Sequence, residues 1–400
     1  MLTTLTIGVG EYVTGLSQES IATSDKGLGV IALSLFDMRE RGLIREIKLA
    51  GRSAKRFPLI AQHFKRNING IYPLLDTSFT PYPKEGFSES AYQEALSEMP
   101  KGSAILIFTP DETHFQMAKD ALLAGMHVLV AKPLVKTTQE HQELQKISKE
   151  KGLLLMLEVH KRFDPLYADA VDQMRTFGDF SYMNSYMSQP KTQLDTFASW
   201  AGISSDISYY LNAHHVDLLC WALEGIAKPI SVMATASTGV AERRLQREVE
   251  DTITLTVQWR NIESGTLGTS IHTASWIAPP SDVHSQQRFF YMGHRGEVNI
   301  DQAHRGYSLS TDNTGFKSAN PLFMKYTPRN GKFVGQEGYG YRSIETFIAS
   351  VNALNEDDAH LEHLNQQLPT IENTFNVTAI LEAGRRSLDE ERIIPLSSLP

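Results

Sequence analysis

Up to about residue 159, short apolar runs alternate with segments whose apolar residues recur at helical spacing. Leu2 to Val9, Glu46 to Ala50, Ser103 to Phe108, His127 to Ala131 and Leu153 to Val159 read as strands. Between them, Gly27 to Arg41 carries Val30, Ile31, Leu33, Leu35 and Phe36 on a helical face, Phe115 to Ala124 continues the alternation, and Thr138 to Lys151 reads as a charged helix. Strand and helix at this interval predict a parallel, doubly wound sheet with helices on both faces.

Beyond residue 160 the texture changes. Ile230 to Ala236, Thr252 to Trp259, Gly265 to His272 and Arg288 to Gly293 alternate polar and apolar residues, with turn signals between them. That pattern predicts a mostly antiparallel, open sheet with one solvated face. Tyr209 to Glu224, Tyr341 to Leu354 and Ile371 to Arg386 are the helices expected in this half. Tyr72 to Gly86 and Ala303 to Gly338 are rich in Pro, Gly, Asn and Thr and read as long loops, which in compact domains are often functional. A length of 400 residues suits two such domains. The expected division is 1–157 and 158–400, an α/β unit followed by an α+β unit that binds substrate and mediates oligomerisation.

Charge and cysteine content narrow the setting. A net charge of -8 gives no bulk attraction to nucleic acid or to an anionic membrane, so neither is expected as a partner. The single cysteine, Cys220, rules out an internal disulfide and a cysteine zinc site; beside Leu218, Leu219 and Trp221 it reads as a buried apolar residue. The chain opens on a strand-like LTTLTIGVG without a basic leader, and no apolar run approaches the roughly 18 residues needed to cross a bilayer. A cytoplasmic location is expected. So is the absence of a metal, because the adjacent pair His214–His215 does not have the spacing that chelates from one helix.

Candidate chemistry begins directly after the first strand, at Gly8-Val9-Gly10-Glu11-Tyr12-Val13-Thr14-Gly15. A glycine-rich turn there lets backbone N–H groups approach a pyrophosphate, which makes the first unit a Rossmann-type dinucleotide-binding domain. Gly8, Gly10, Glu11, Tyr12 and Thr14 are its cofactor candidates. Val13 stands where the third glycine belongs, and Gly15 comes two residues late. After the second strand, Gly51-Arg52-Ser53-Ala54-Lys55-Arg56 lacks the acid that holds a ribose 2′-OH. A guanidinium and a hydroxyl, at Arg52 and Ser53, suit a 2′-phosphate instead, so NADP(H) is expected over NAD(H).

Three further stretches carry a resemblance. Thr109-Pro110-x-x-x-His114 is followed by Ala121 to Gly125, His127-Val128 and Lys132-Pro133-Leu134. Next come Lys161-Arg162-Phe163-Asp164-Pro165 and Asp206 to Gly225, DISYYLNAHHVDLLCWALEG. Together they resemble the Gfo/Idh/MocA family, the sugar and inositol dehydrogenases typified by glucose–fructose oxidoreductase and inositol 2-dehydrogenase. The resemblance implies an NAD(P)-dependent oxidoreductase acting on CH–OH or aldehyde groups. It adds Thr109, Pro110, His114, Lys132 and Pro133 to the cofactor set. Lys132 is also implied to position and polarise substrate, although Ala131 stands where the family has glutamate.

Alignment on Asp217, Trp221 and Gly225 places the family's catalytic histidine on His214 and its aspartate on Tyr210, so Lys132, His214 and Tyr210 form the implied catalytic set. Lys161, Arg162 and Asp217 join Lys132 and His214 as substrate-side candidates. An interdomain ion pair is the other reading of the two cations at 161 and 162. Within the family, GEYVTG, the insertion containing SDKGLGVIALSLFDMRERGLI, and SSDISYYLNAHHVDLLCW resemble the D-galacturonate reductases, which reduce a uronate aldehyde with NADPH. Two alternatives stay open: a dehydrogenase of a neutral sugar or an inositol, and an NADP-binding regulator without turnover. The resemblance further implies a homodimer or homotetramer.

Overall fold

The computed structural model describes residues 2–17, 20–21, 26–283, 285–313, 315–329 and 331–399. Ser24 and Asp25 of the inserted stretch lie outside these residues. The first sheet has six parallel strands: β1 (Leu2–Ile7), β2 (Ile44–Ala50), β3 (Thr80–Tyr82), β4 (Ala104–Ile107), β5 (His127–Ala131) and β6 (Leu155–Glu158). Their order is β3-β2-β1-β4-β5-β6. Every residue of β1, β4 and β6 is buried, because helices cover both faces. The period of two is visible within that burial. Ala104 and Leu106 face one core with the helix Ile31–Glu40, while Ile105 and Ile107 face the other with the helices Ala91–Ser97 and His114–Leu123.

The second sheet contains β7 (Phe180–Pro190), β8 (Ala227–Thr238), β9 (Glu250–Asn261), β10 (Leu267–Ala278), β11 (Gln286–Gly293), β12 (Gly296–Asp301) and β13 (Ile394–Pro395). Their order is β12-β11-β7-β10-β9-β8-β13, antiparallel except where β7 meets β10. Along β9, Ile253, Leu255, Val257 and Trp259 enter a core shared with the helices Pro165–Met174, Ala213–Ala222 and Phe375–Glu390. The opposite face carries Thr252 and Thr254, whose hydroxyls lie 2.9 Å from Ser275 Oγ and 3.0 Å from Thr273 Oγ1. Cys220 is buried, as its neighbours predict. No helix among the described residues is long and apolar enough to cross a membrane.

Several expected boundaries move. Phe180–Pro190 is a central strand that the sequence pattern does not announce: Ser185 shares the inward face with Met183 and Met187, and Ser188 is buried on the other face, so polar and apolar residues do not alternate cleanly. Thr80–Tyr82 forms an edge strand inside the first expected loop, where a proline is tolerated. The last long helix begins at Phe375 rather than Ile371, because Leu157 N–H donates to Pro369 O and Ile371 N–H to Leu155 O along the open edge of β6. Tyr209 to Glu224 divides into a π-helical turn, Ser208–Asn212, and an α-helix, Ala213–Ala222.

The division expected at residues 157 and 158 falls inside β6, and contacts with the first unit recur far beyond it. The helix Tyr339–Asn355 returns, and its Tyr341, Ile344, Phe347, Ile348 and Val351 pack in the same core as Val30 to Phe36. Arg41 Nη1 donates to Tyr341 Oη at 2.7 Å, and Tyr341 Oη donates to Asp37. Both long segments expected as loops therefore contain structure. The second holds a hairpin, Ser308–Thr311 with Gly315–Ser318, before it leads back toward the first unit.

Candidate functional site

The strand order reverses direction between β1 and β4, the place where an open α/β sheet leaves a crevice at the carboxyl ends of its strands. Gly8 sits there at φ +106, and a Cβ on it would lie 2.1 Å from Phe108 O, so only glycine lets β1 leave the sheet this close to β4. At Gly10 a Cβ would meet nothing within 4 Å: the space above it is open. A single helical turn, Glu11–Thr14, follows.

Gly15, at φ +81, then turns the chain away, with its Cβ position 2.4 Å from Gly27 O. Val30 N–H donates to Tyr12 O at 2.8 Å, so the helical hydrogen-bond ladder passes from residue 12 to residue 30. Between Gly15 and Gly29 the chain thus departs from, and returns to, one helical ladder. That is why the glycine spacing is irregular and the helical pattern resumes only near Gly27.

A cleft of about 1520 Å³ runs from this turn between the two sheets. Gly8, Gly10 and Tyr12 line it at one end, with Arg52, Ser53 and Arg56. The segment bearing the cations is fixed by Ser88 N–H to Arg52 O at 2.9 Å and Ala54 N–H to Gly86 O at 3.0 Å. Burial lowers the Arg56 guanidinium from its ordinary range. The glycine turn, the open space over Gly10 and this cationic rim fit a dinucleotide: backbone N–H groups for the pyrophosphate, and guanidinium and hydroxyl donors for the ribose end.

Of the other expected cofactor residues, Thr109, Pro110 and Lys132 line the cleft. Glu11, Thr14, His114 and Pro133 are not on its wall. Thr14 is buried, its hydroxyl donating to Gly10 O at 3.1 Å. His114 is buried between the loops after β4 and β5, its ring nitrogens 2.9 Å from Thr109 O and 2.7 Å from Pro133 O. It fastens the two cleft-forming loops together rather than reaching into the space between them.

Lys132 directly follows β5 and its side chain crosses to the second unit, where Nζ donates to Tyr210 O and lies 3.8 Å from the centroid of the Tyr210 ring. Burial pushes its ammonium down to about 7, Lys26 pushes the same way, and Asp111 and Glu158 oppose them. Tyr210 packs its ring on Phe197 and Trp200, with centroids 4.9 and 5.5 Å away. It meets Lys132 through its carbonyl and ring face.

His214, on the same cleft wall, is buried and its Nδ1 has no hydrogen-bond partner among the described residues. Burial first, then the charges of Lys132, His160 and Lys161, hold its pKa well below the ordinary histidine value, so the ring is neutral. The adjacent His215 does not line the cleft; its ring lies 5.9 Å from Phe289 inside the core of the second unit.

The two cations expected to meet substrate do not reach the cleft. Arg162 is buried in a bidentate pair with buried Asp217: Nε to Oδ2 at 2.9 Å and Nη2 to Oδ1 at 2.6 Å. The motif thus holds an ion pair, but one inside the second unit rather than between the two, and it engages both Arg162 and Asp217 away from the cleft. Lys161 is also internal, donating to Tyr167 Oη at 3.0 Å, to Gln302 Oε1 at 2.5 Å and to Gln287 Oε1.

The residue before them, His160, which stands in none of the expected cofactor, catalytic or substrate sets, is the one at the cleft. The His160 ring stacks on Tyr339 at 5.5 Å, lies 5.2 Å from the His214 ring, and has Nδ1 3.6 Å from Glu158 Oε1. Ser343 Oγ donates to that same carboxylate oxygen at 3.0 Å. The only sequence signal for His160 is its place immediately beyond a strand end. Lys26 also lines the cleft, 5.7 Å from the centroid of the Tyr12 ring, and likewise stands in none of those sets.

Comparison with known proteins adds independent findings. Residues 76–159 match the family model described as oxidoreductase family, NAD-binding Rossmann fold, and residues 169–299 match the GFO/IDH/MocA C-terminal domain. The chain is 25% identical over 328 residues to the scyllo-inositol 2-dehydrogenase (NADP(+)) IolW of Bacillus subtilis, covering 80% of this chain and 87% of that protein. It is 30% identical over 166 residues to the UDP-N-acetylglucosamine 3-dehydrogenase of Acidithiobacillus ferrooxidans, covering 41% of this chain and 46% of that one. In fold it is similar to the scyllo-inositol dehydrogenase of Lactobacillus casei crystallised with NAD(H) and scyllo-inositol, with a TM-score of 0.64 at 15% identity over 99% of each chain.

Proposed function

Since the chain belongs to the Gfo/Idh/MocA oxidoreductase family, we propose that it is an NADP-dependent oxidoreductase that interconverts an alcohol and a carbonyl on a neutral polyhydroxylated ring or sugar. The observation that carries this reading is the convergence of Lys132 and His214 on one cleft wall beyond the glycine turn. A bound nicotinamide dinucleotide supplies the two-electron chemistry, giving or taking hydrogen with its electron pair at carbon and leaving the proton on oxygen to the protein. Gly8, Gly10, Tyr12, Arg52, Ser53, Thr109 and Pro110 hold that dinucleotide.

Lys132 carries the proton. Its ammonium, pushed down to about 7, donates to a carbonyl oxygen on reduction and, once neutral, accepts from a hydroxyl on oxidation. His214, a neutral imidazole, orients the same oxygen through a ring nitrogen. Tyr210 positions Lys132 with its carbonyl and ring face, which are the contacts it makes.

Support for a neutral substrate comes from the wall beyond Lys132, where Gln189, Gln287, Gln302, Asn320 and Tyr339 line the cleft. The cations that a uronate carboxylate was expected to meet, Lys161 and Arg162, are engaged inside the fold. The B. subtilis relative is named for an inositol. Reduction of a uronate aldehyde is the second reading; it keeps Lys317, which lines the cleft from the hairpin after β12. The resemblance to D-galacturonate reductases gains no support from the relatives named above.

The test is nicotinamide absorbance with NADP(H) and NAD(H) against inositols, neutral aldoses, D-glucuronate and D-galacturonate, in both directions. Turnover of inositols or neutral sugars supports the proposal. Turnover confined to uronates shifts it to the second reading, and tight NADPH binding without turnover replaces both with a regulator. On the cofactor side, Arg52→Ala is expected to raise the KM for NADPH by about 10- to 100-fold while changing that for NADH only about two-fold, because one charge-assisted bond to the 2′-phosphate is lost. Equal effects on both cofactors would show that Arg52 does not read the 2′-phosphate.

A further inference from the structure

Lys161 is 1% exposed, yet it lies one side chain behind the cleft. Burying an ammonium costs several kcal/mol unless every proton finds an acceptor. Here the acceptors are Tyr167 Oη at 3.0 Å, Gln302 Oε1 at 2.5 Å and Gln287 Oε1. Burial lowers the Lys161 pKa well below the ordinary lysine value and Asp164 opposes it, and both glutamines turn their amide oxygens toward Nζ. That fixes two amide orientations which side-chain shape alone leaves open.

The backbone holds the pair in place: Gln287 is the second residue of β11, Gln302 follows β12, and Gln302 N–H donates to Gln287 O at 2.8 Å. With the oxygens committed, the amide N–H groups face away from Lys161. Gln302 Nε2 donates to Tyr339 Oη at 3.3 Å. The Gln287 side chain lines the cleft with Lys161 as the partner of its oxygen. Asn320, from the returning segment, is oriented in the same sense: its Oδ1 accepts from Leu322 N–H at 3.2 Å and its Nδ2 donates to Tyr339 Oη at 2.9 Å.

We infer that the Gln287 amide N–H groups form a substrate subsite that meets oxygen acceptors, walled by Gln302, Asn320 and Tyr339, and that Lys161 is its positioning residue, holding the Gln287 amide from behind. The inference rests on the functional reading above and deepens it. The ligand group it takes is a pair of neighbouring oxygens, supplied either by vicinal ring hydroxyls or by a carboxylate. Lys161 thus acts on substrate without touching it.

The decisive variant is Gln287→Glu. It still accepts from Lys161, now as an ion pair, so the fold keeps that contact while the donor toward the cleft is gone. For an inositol or neutral sugar, substrate KM is expected to rise about 3- to 10-fold, the loss of one ordinary hydrogen bond. For a uronate held by its carboxylate the rise exceeds about 100-fold, because a like charge is added to a lost donor. The ratio of the two effects therefore identifies the source of the oxygens.

Lys161→Met, which frees both amides to flip, is expected to raise substrate KM more than it lowers kcat and to leave cofactor KM in place. A purely structural lysine would instead lower the folded fraction and all apparent rates together. Turnover whose substrate KM is unchanged in Gln287→Glu overturns the subsite alone. A wild-type protein with neither turnover nor substrate-dependent thermal stabilisation overturns the functional reading, and the subsite with it.

Discussion

Lys132→Met lowers kcat by about 10²- to 10⁴-fold, the range associated with loss of a positioned proton donor, while NADPH affinity measured by fluorescence titration changes only a few-fold. Methionine keeps the length of the side chain and its contact with the Tyr210 ring but removes the charge and the proton. The pH dependence sharpens the prediction. With the Lys132 ammonium at about 7, carbonyl reduction needs the protonated form, so its rate falls as pH rises through about 7. Alcohol oxidation needs the free amine, so its rate rises over the same interval.

His214 is held neutral throughout this range and contributes no inflection of its own. Lys132→Arg replaces the ammonium with a group that does not deprotonate, and the inflection is expected to vanish with it. Rate–pH profiles in both directions provide the check. An inflection that survives in Lys132→Met would place the proton on another residue.

The second large effect concerns stability. Arg162→Met leaves the Asp217 carboxylate, 1% exposed, without its guanidinium. Removing one partner of a buried pair costs about 3–5 kcal/mol, because the remaining charge is stranded in a medium that solvates it poorly. Urea denaturation is the measurement, with a lowered midpoint as the expected result. The double variant Arg162→Met with Asp217→Leu removes both charges and is expected to recover most of the loss.

Arg162 lies on the 3₁₀ turn after β6, and Asp217 on the helix that carries His214. The pair therefore fixes that helix against the turn by which the chain leaves the first sheet. A direct substrate contact at Arg162 would instead give a raised substrate KM with little change in the urea midpoint.

The parallel unit was legible in the sequence because its signals are local. Buried strands such as Ala104–Ile107 are short aliphatic runs, and the helix Thr138–Lys151 begins with Thr137 and Glu140 in a capping box and ends at Gly152 in the left-handed region. The antiparallel unit was legible where one face is solvated, as along β9. It was not legible at Phe180–Pro190, a central strand with Ser185 facing inward between two methionines. The returning helix Tyr339–Asn355 was recognisable as a helix, but its partner was not, since apolar residues at helical spacing name a buried face without naming what buries it.

The same limit governs the site. The sequence by itself determined the chemistry available: a glycine turn after the first strand, a cationic segment after the second, and Lys132 and His214 within motifs that carry the family resemblance. Only the tertiary structure decided which neighbours face the cleft. His160, Lys161 and Arg162 are consecutive, yet one turn sends His160 to the cleft, Lys161 behind two glutamines and Arg162 onto Asp217. That assignment depends on partners 55 residues away at Asp217 and 141 residues away at Gln302. A charged side chain goes where its charge is best compensated, and the compensating groups are assembled only when the two sheets close on each other.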